Sequence, residues 1–125
     1  MLHSEEASDG ITIARLEGEL DKFAADEVLA ELESLPSSPG LVVNLGGLTF
    51  LDSAGLHALF AAARFASERG TRLAFVLPHS SPIRRVLELV QIGTVAPVRH
   101  SQSEAIELVR ADAATMAARE AETDV

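Results

Sequence analysis

The chain predicts an α/β protein: a single domain on a mixed, mostly parallel sheet of four to five strands, with helices packed around it. Three observations carry the prediction. Short apolar, β-rich runs alternate with helix-spaced segments from residue 11 onward. No internal repeat and no long linker divides the 125 residues, and 47% hydrophobic with 23% charged residues is ordinary composition for one domain with a real core. The third is the stretch Leu41–Gly70, in which a buried-type strand hands over to a long amphipathic helix.

Residues 1–9 read as a loose segment or a short edge strand, closed by the turn signal Asp9-Gly10. Ile11, Ile13 and Leu16 mark the first firm strand, which Gly18-Glu19-Leu20-Asp21 closes. Asp21 is placed to cap a helix whose spacing runs through Phe23, Val28, Leu29, Leu32 and Leu35. Pro36-Ser37-Ser38-Pro39-Gly40 breaks the chain before the strand Leu41–Leu45. Gly46-Gly47 reads as a turn, and Leu48–Leu51 as a brief apolar bridge to Asp52-Ser53-Ala54-Gly55. Leu56, Leu59, Phe60, Ala63 and Ala66 then share a helical face, and Gly70 supplies the stop. Arg72–Leu77 is another short strand. Ser81-Pro82 opens a helix expected to face the core with Ile83, Val86, Leu87 and Val90 and to stop near Gly93. Ala96–Arg99 is the last strand, and Ser101 with Glu104 fits a capping box for a final helix through Ile106, Leu108 and Val109. Residues 111–125, rich in Ala and scattered charge, read as a helical extension that frays.

Composition excludes several function classes. Ten Lys and Arg against 19 Asp and Glu give a formal charge of −9, which disfavours nucleic acid or an anionic membrane and favours a basic partner surface. Phe is the sole aromatic, so stacking on bases has little to work with. With no cysteine there is no disulfide, thiolate nucleophile or Cys-based metal site, consistent with a reducing compartment. The amino terminus lacks a secretory pattern and no apolar run approaches the ~20 residues of a membrane span, so the expectation is a cytoplasmic, soluble protein.

The chemistry therefore concentrates at Asp52-Ser53-Ala54-Gly55. Read alone, it is a helix start, with Asp or Ser capping and Gly allowing a tight turn. A serine hydrolase does not fit: the nucleophile elbow needs glycine where Leu51 stands. His57 lies one turn from Ser53, but Asp52 is consecutive with the serine and poorly placed to orient that imidazole. His3, His79 and His100 are scattered, with no HExxH pattern, and no GxxxxGK or GxGxxG loop is present. The expectation is a non-enzyme with no metal and no cofactor.

Taken together, Gly18-Glu19-Leu20-Asp21, Leu41-Val42-Val43-Asn44-Leu45, Leu48 through Leu56, and Ser81 through Leu89 followed by Ile92-Gly93 closely resemble the STAS domain, in collinear order over residues 10–110. Within that superfamily the chain looks like the anti-sigma factor antagonists of bacteria. The resemblance implies a partner-switching regulator. Unphosphorylated, it binds an anti-sigma factor that is itself a serine kinase and frees a sigma factor; phosphorylation blocks that binding, and a serine phosphatase restores it. Ser53 is the implied acceptor, and Asp21, Asp52, Ala54, Gly55 and Leu56 the implied partner contacts, with Gly55 bringing the backbone close to the partner. Ala54 departs from the Ser or Thr common at that position and leaves a single hydroxyl in the motif. The alternatives are a STAS subunit of another assembly, such as a lipid-transport complex or a stress-signalling scaffold, and a ligand-binding STAS module.

Overall fold

A computed structural model describes residues 1–7 and 9–123, with side chains through 112. Five strands form one sheet in the order β1-β2-β3-β4-β5: Leu2–Glu6, Thr12–Leu20, Gly40–Leu51, Arg72–Val76 and Val98–Arg99. β1 pairs antiparallel with β2, and every other neighbouring pair is parallel. The helices are α1 (Ala25–Glu33), α2 (Ser53–Glu68), α3 (Arg84–Leu89) and α4 (Gln102–Thr123). The mixed, mostly parallel sheet is the one the alternation predicts. No helix among the described residues is long and apolar enough to cross a membrane.

The period of two along each strand sorts the core into two layers. Ala14, Leu16, Leu41, Val43, Leu45, Leu73 and Phe75 point to one face, where α1, α2 and α3 cover them with Val28, Leu32, Leu59, Ala62 and Leu87. Ile11, Ile13, Val42, Ala74 and Val76 point to the other, under Ala105 and Val109 of α4. α4 lies close to β3: a Cβ at Gly40 would sit 1.9 Å from Val109 Cγ1. Arg110 and Asp9 form an ion pair that ties the same helix to the β1–β2 turn.

Three readings of the sequence need correction. Gly46-Gly47 is not a turn: β3 runs unbroken through both residues to Leu51. One β3 residue bulges between the pairs Arg15↔Asn44 and Glu17↔Gly47, and a Cβ at Gly47 would lie 2.8 Å from the Leu16 carbonyl oxygen. Gly47 marks close strand approach rather than reversal. β2 ends at Leu20, within the Gly18-Glu19-Leu20-Asp21 segment expected to close it. Phe23 stands outside α1 and is exposed, because 23 and 28 are five residues apart and cannot share a helical face. On α3 only Ile83 and Leu87 turn inward, while Val86 and Val90 are exposed. That helix ends at Leu89, with Gln91 in the left-handed conformation (φ 55°) ahead of a 3-10 turn, Ile92–Thr94, which contains Gly93.

Gly70 does end α2 as expected, at φ +74°. Ser101 Oγ accepts from Glu104 N at 3.3 Å and donates to Glu104 Oε1 at 3.1 Å, so the two capping-box side chains meet directly. α4 continues through 113–123, whose side chains, like residues 124 and 125, lie outside the described residues.

Gly40→Ala should destabilise the protein by about 1–3 kcal/mol through overpacking. Adding Val109→Ala should recover part of that loss, because it removes the methyl that the new Cβ meets. Urea denaturation of both single variants and the double variant measures the coupling.

Candidate functional site

Parallel pairing brings the ends of β2 and β3 side by side: Leu20 is opposite Leu51, and Asp52 N donates to the Leu20 carbonyl at 3.4 Å. The residues that follow each strand, Asp21 and Asp52, therefore share the carboxyl-terminal rim of the sheet. Asp52 is the N-cap of α2, with extended backbone (φ −106°, ψ −174°). Its Oδ1 accepts from Gly55 N at 3.0 Å, and its Oδ2 accepts from Lys22 N, also at 3.0 Å. One carboxylate thus closes the helix start and anchors the loop leaving β2. The amide of Gly55 beside it, helped by those of Lys22 and Ala54 and by the Lys22 charge, holds its carboxyl below the usual carboxylate range despite an opposing desolvation effect.

Asp21 organises that loop from its own side. Its Oδ1 accepts from Phe23 N at 3.0 Å and from Ala24 N at 3.1 Å, and its carbonyl accepts from Ala25 N at 2.8 Å. The cap expected of Asp21 is thus placed on the turn before α1, whose own N-cap, Ala24, makes no side-chain bond.

Next to Asp52, Ser53 is the first residue of α2 and is exposed. The sequence left Asp or Ser as the cap; the structure chooses Asp52. Among the described residues the Ser53 hydroxyl has no hydrogen-bond partner in the protein. It stands at the positive end of a 16-residue helix, where an added anion is favoured. Ala54 and Leu56 are half-buried, and Leu56 packs against the main core. Gly55 is buried: a Cβ there would fall 2.1 Å from the Leu20 carbonyl oxygen and 2.7 Å from Leu51 Cδ1. It offers a partner no surface, so any contribution to binding is indirect, through the close seating of α2 on the end of β2. The segment that leaves β2 is acidic: Glu19, Asp26 and Glu27 are exposed and flank Asp21 in sequence, with Lys22 the one cation in that stretch.

Sequence reasoning missed the Lys22 amide, which Asp52 binds. A bond from an amide to a carboxylate 30 residues away leaves no signal in the sequence.

A five-stranded sheet with one antiparallel edge, helices on both faces and a serine at a capped strand-to-helix junction defines a class of small α/β domain. Residues 4–105 match the STAS domain model, and the chain belongs to that family. It is 26% identical over 100 residues to an anti-sigma F factor antagonist of Paenibacillus polymyxa, covering 78% of this chain and 85% of that protein. The crystal structure of an anti-sigma factor antagonist from Mycobacterium paratuberculosis is similar at a TM-score of 0.72 and 26% identity, over 88% of this chain and 93% of the other. The Bacillus cell fate determinant SpoIIAA in its phosphorylated form shares the fold at a TM-score of 0.59 and 24% identity, over 87% and 99% of the two chains.

The lowered Asp52 carboxyl has a consequence for stability. A group whose folded value lies below its unfolded one stabilises the fold above the unfolded value, and that contribution is lost as pH falls through the folded value. Asp52→Asn keeps a capping oxygen but no charge. The stability gap between wild type and Asp52→Asn should therefore be full at neutral pH and narrow as pH drops below about 4. Urea titrations of both proteins from pH 7 to pH 2.5 check this; a gap that does not change with pH would remove the charge from the account.

Proposed function

We propose that this chain is an anti-sigma factor antagonist whose activity is set by phosphorylation of Ser53. Unphosphorylated, it binds an anti-sigma factor with serine kinase activity and releases a sigma factor; phosphorylation ends the interaction, and a serine phosphatase restores it. The chain acts as a regulatory binding protein rather than an enzyme. The observation that carries the reading is the exposed Ser53 hydroxyl, left free because Asp52 performs the capping. A serine that capped the helix would have its oxygen engaged by a backbone amide; this one is exposed with its hydroxyl unengaged. Relatives named as anti-sigma factor antagonists support the same reading.

The charge pattern suits such a partner in two ways. The acidic rim around Asp21 and Asp52 favours encounter with a basic surface. At the acceptor itself the partner must be locally negative, because a kinase brings a catalytic carboxylate and nucleotide phosphates to the hydroxyl it modifies. A phosphate on Ser53 adds about −1.5 to −2 charges at that point. Against one negative group ~7 Å away, at an effective dielectric between 20 and 80, repulsion is on the order of 1–5 kcal/mol. That weakens binding from roughly tenfold to a thousandfold or more without unfolding anything.

Affinity capture with the tagged 125-residue chain, followed by mass spectrometry, should return an anti-sigma kinase. Titrating that purified factor with four species tests the switch. Wild type and Ser53→Ala should bind alike, Ser53→Asp more weakly, and phosphoserine most weakly of all, following charge. Ser53→Ala should also stay within about 0.5 kcal/mol of wild-type stability, since no capping bond is lost. Equal affinities across the four species would contradict the proposal.

A further inference from the structure

Phe23 is 82% exposed, the most exposed large apolar side chain among the described residues, and it stands on the same rim as Ser53. Its backbone is nevertheless fixed. The Phe23 amide is held by Asp21 Oδ1, the preceding Lys22 amide by Asp52 Oδ2, and the following Ala24 and Ala25 amides by Asp21. Four consecutive N–H groups are thus bound to two carboxylates and one carbonyl. The ring is presented on a rigid turn, with the Lys22 ammonium 5.2 Å from its centroid. A floppy loop would pay an ordering cost on binding; a pre-set aromatic does not. Exposed aromatics on organised backbone, ringed by polar groups, are the usual anchors of protein interfaces.

We propose that Phe23 is the apolar anchor of the partner interface, inserting into a hydrophobic pocket on the anti-sigma factor that is edged by Lys or Arg. The polar edge follows from charge complementarity: Asp21 caps the turn that bears the ring, and Asp26 and Glu27 are exposed in the first turn of α1 just after it. This inference rests on the partner-switching reading for the partner's identity, and adds a second kind of contact to it. The charge at Ser53 decides whether the complex persists, while Phe23 supplies affinity that phosphorylation leaves untouched. Asp52 joins the two elements, because the carboxylate that caps the helix bearing Ser53 also holds the turn bearing Phe23.

The test uses the captured anti-sigma factor as purified protein, with Phe23→Ser, Val95→Ser and Ser53→Asp in the full chain. Val95 is also exposed but lies beside the start of β4, at the opposite end of the sheet, and serves as the control. Circular dichroism and melting of Phe23→Ser should match wild type, since the side chain packs against no core. Its affinity should fall about thirtyfold or more, the size of an interface hot spot, while Val95→Ser stays within threefold. Affinity of folded Phe23→Ser within threefold of wild type overturns the anchor. If Ser53→Asp is weakened in that case, the partner-switching reading survives without it. If Phe23→Ser is weakened and Ser53→Asp is not, the anchor stands and the switch fails. A chain that captures no anti-sigma factor overturns both.

Discussion

The structure of the site depends on one carboxylate. Asp52 accepts from Gly55 at the start of α2 and from Lys22 in the loop after β2, and these bonds join segments 30 residues apart. Because Asp52 satisfies the helix start, Ser53 need not. A hydroxyl at the first helical position of a long helix is then exposed, chemically unoccupied and surrounded by an electrostatic environment that tolerates phosphate. Removing the capping duty from the serine is what lets a covalent change there alter surface charge without taking away a structural bond.

Gly55 is the steric counterpart of that arrangement. The helix start seats so closely against β2 that the Leu20 carbonyl occupies the space of a Cβ. The same contact makes the junction stiff. Asp21 extends the stiffness to the neighbouring loop by capping its turn. In the proposed switch the rim is a preformed surface, and phosphorylation would change the potential on a fixed shape.

Most of this was legible in the sequence because it depends on local pattern. Short apolar, β-rich runs marked β2, the first part of β3 and β4, and the Leu56–Ala66 spacing with Gly70 marked α2 and its end. The Asp52-Ser53 junction stood out because a hydroxyl sits beside a carboxylate and a glycine where a buried-type strand hands over to a long amphipathic helix. What escaped was set by neighbours distant in sequence. Gly46-Gly47 looks like a turn until β2 is placed beside it, where the glycines accommodate a bulge. The inward or outward facing of Val86 and Val90 follows from how α3 lies on the sheet, which its own short apolar repeat does not determine. The division of capping between Asp52 and Ser53 was undecidable locally, since either residue type caps well.

The central claim is that Ser53 can be phosphorylated while the Asp52 bonds, and hence the shape of the rim, stay intact. Amide hydrogen exchange at Gly55 and Lys22, read by NMR in the unphosphorylated and phosphorylated proteins, tests it most directly. Both amides should keep their protection on phosphorylation, with changes in chemical shift but not in exchange rate. Loss of protection at either would mean that the modification works by opening the helix start, and would contradict a switch made by charge on an unchanged fold.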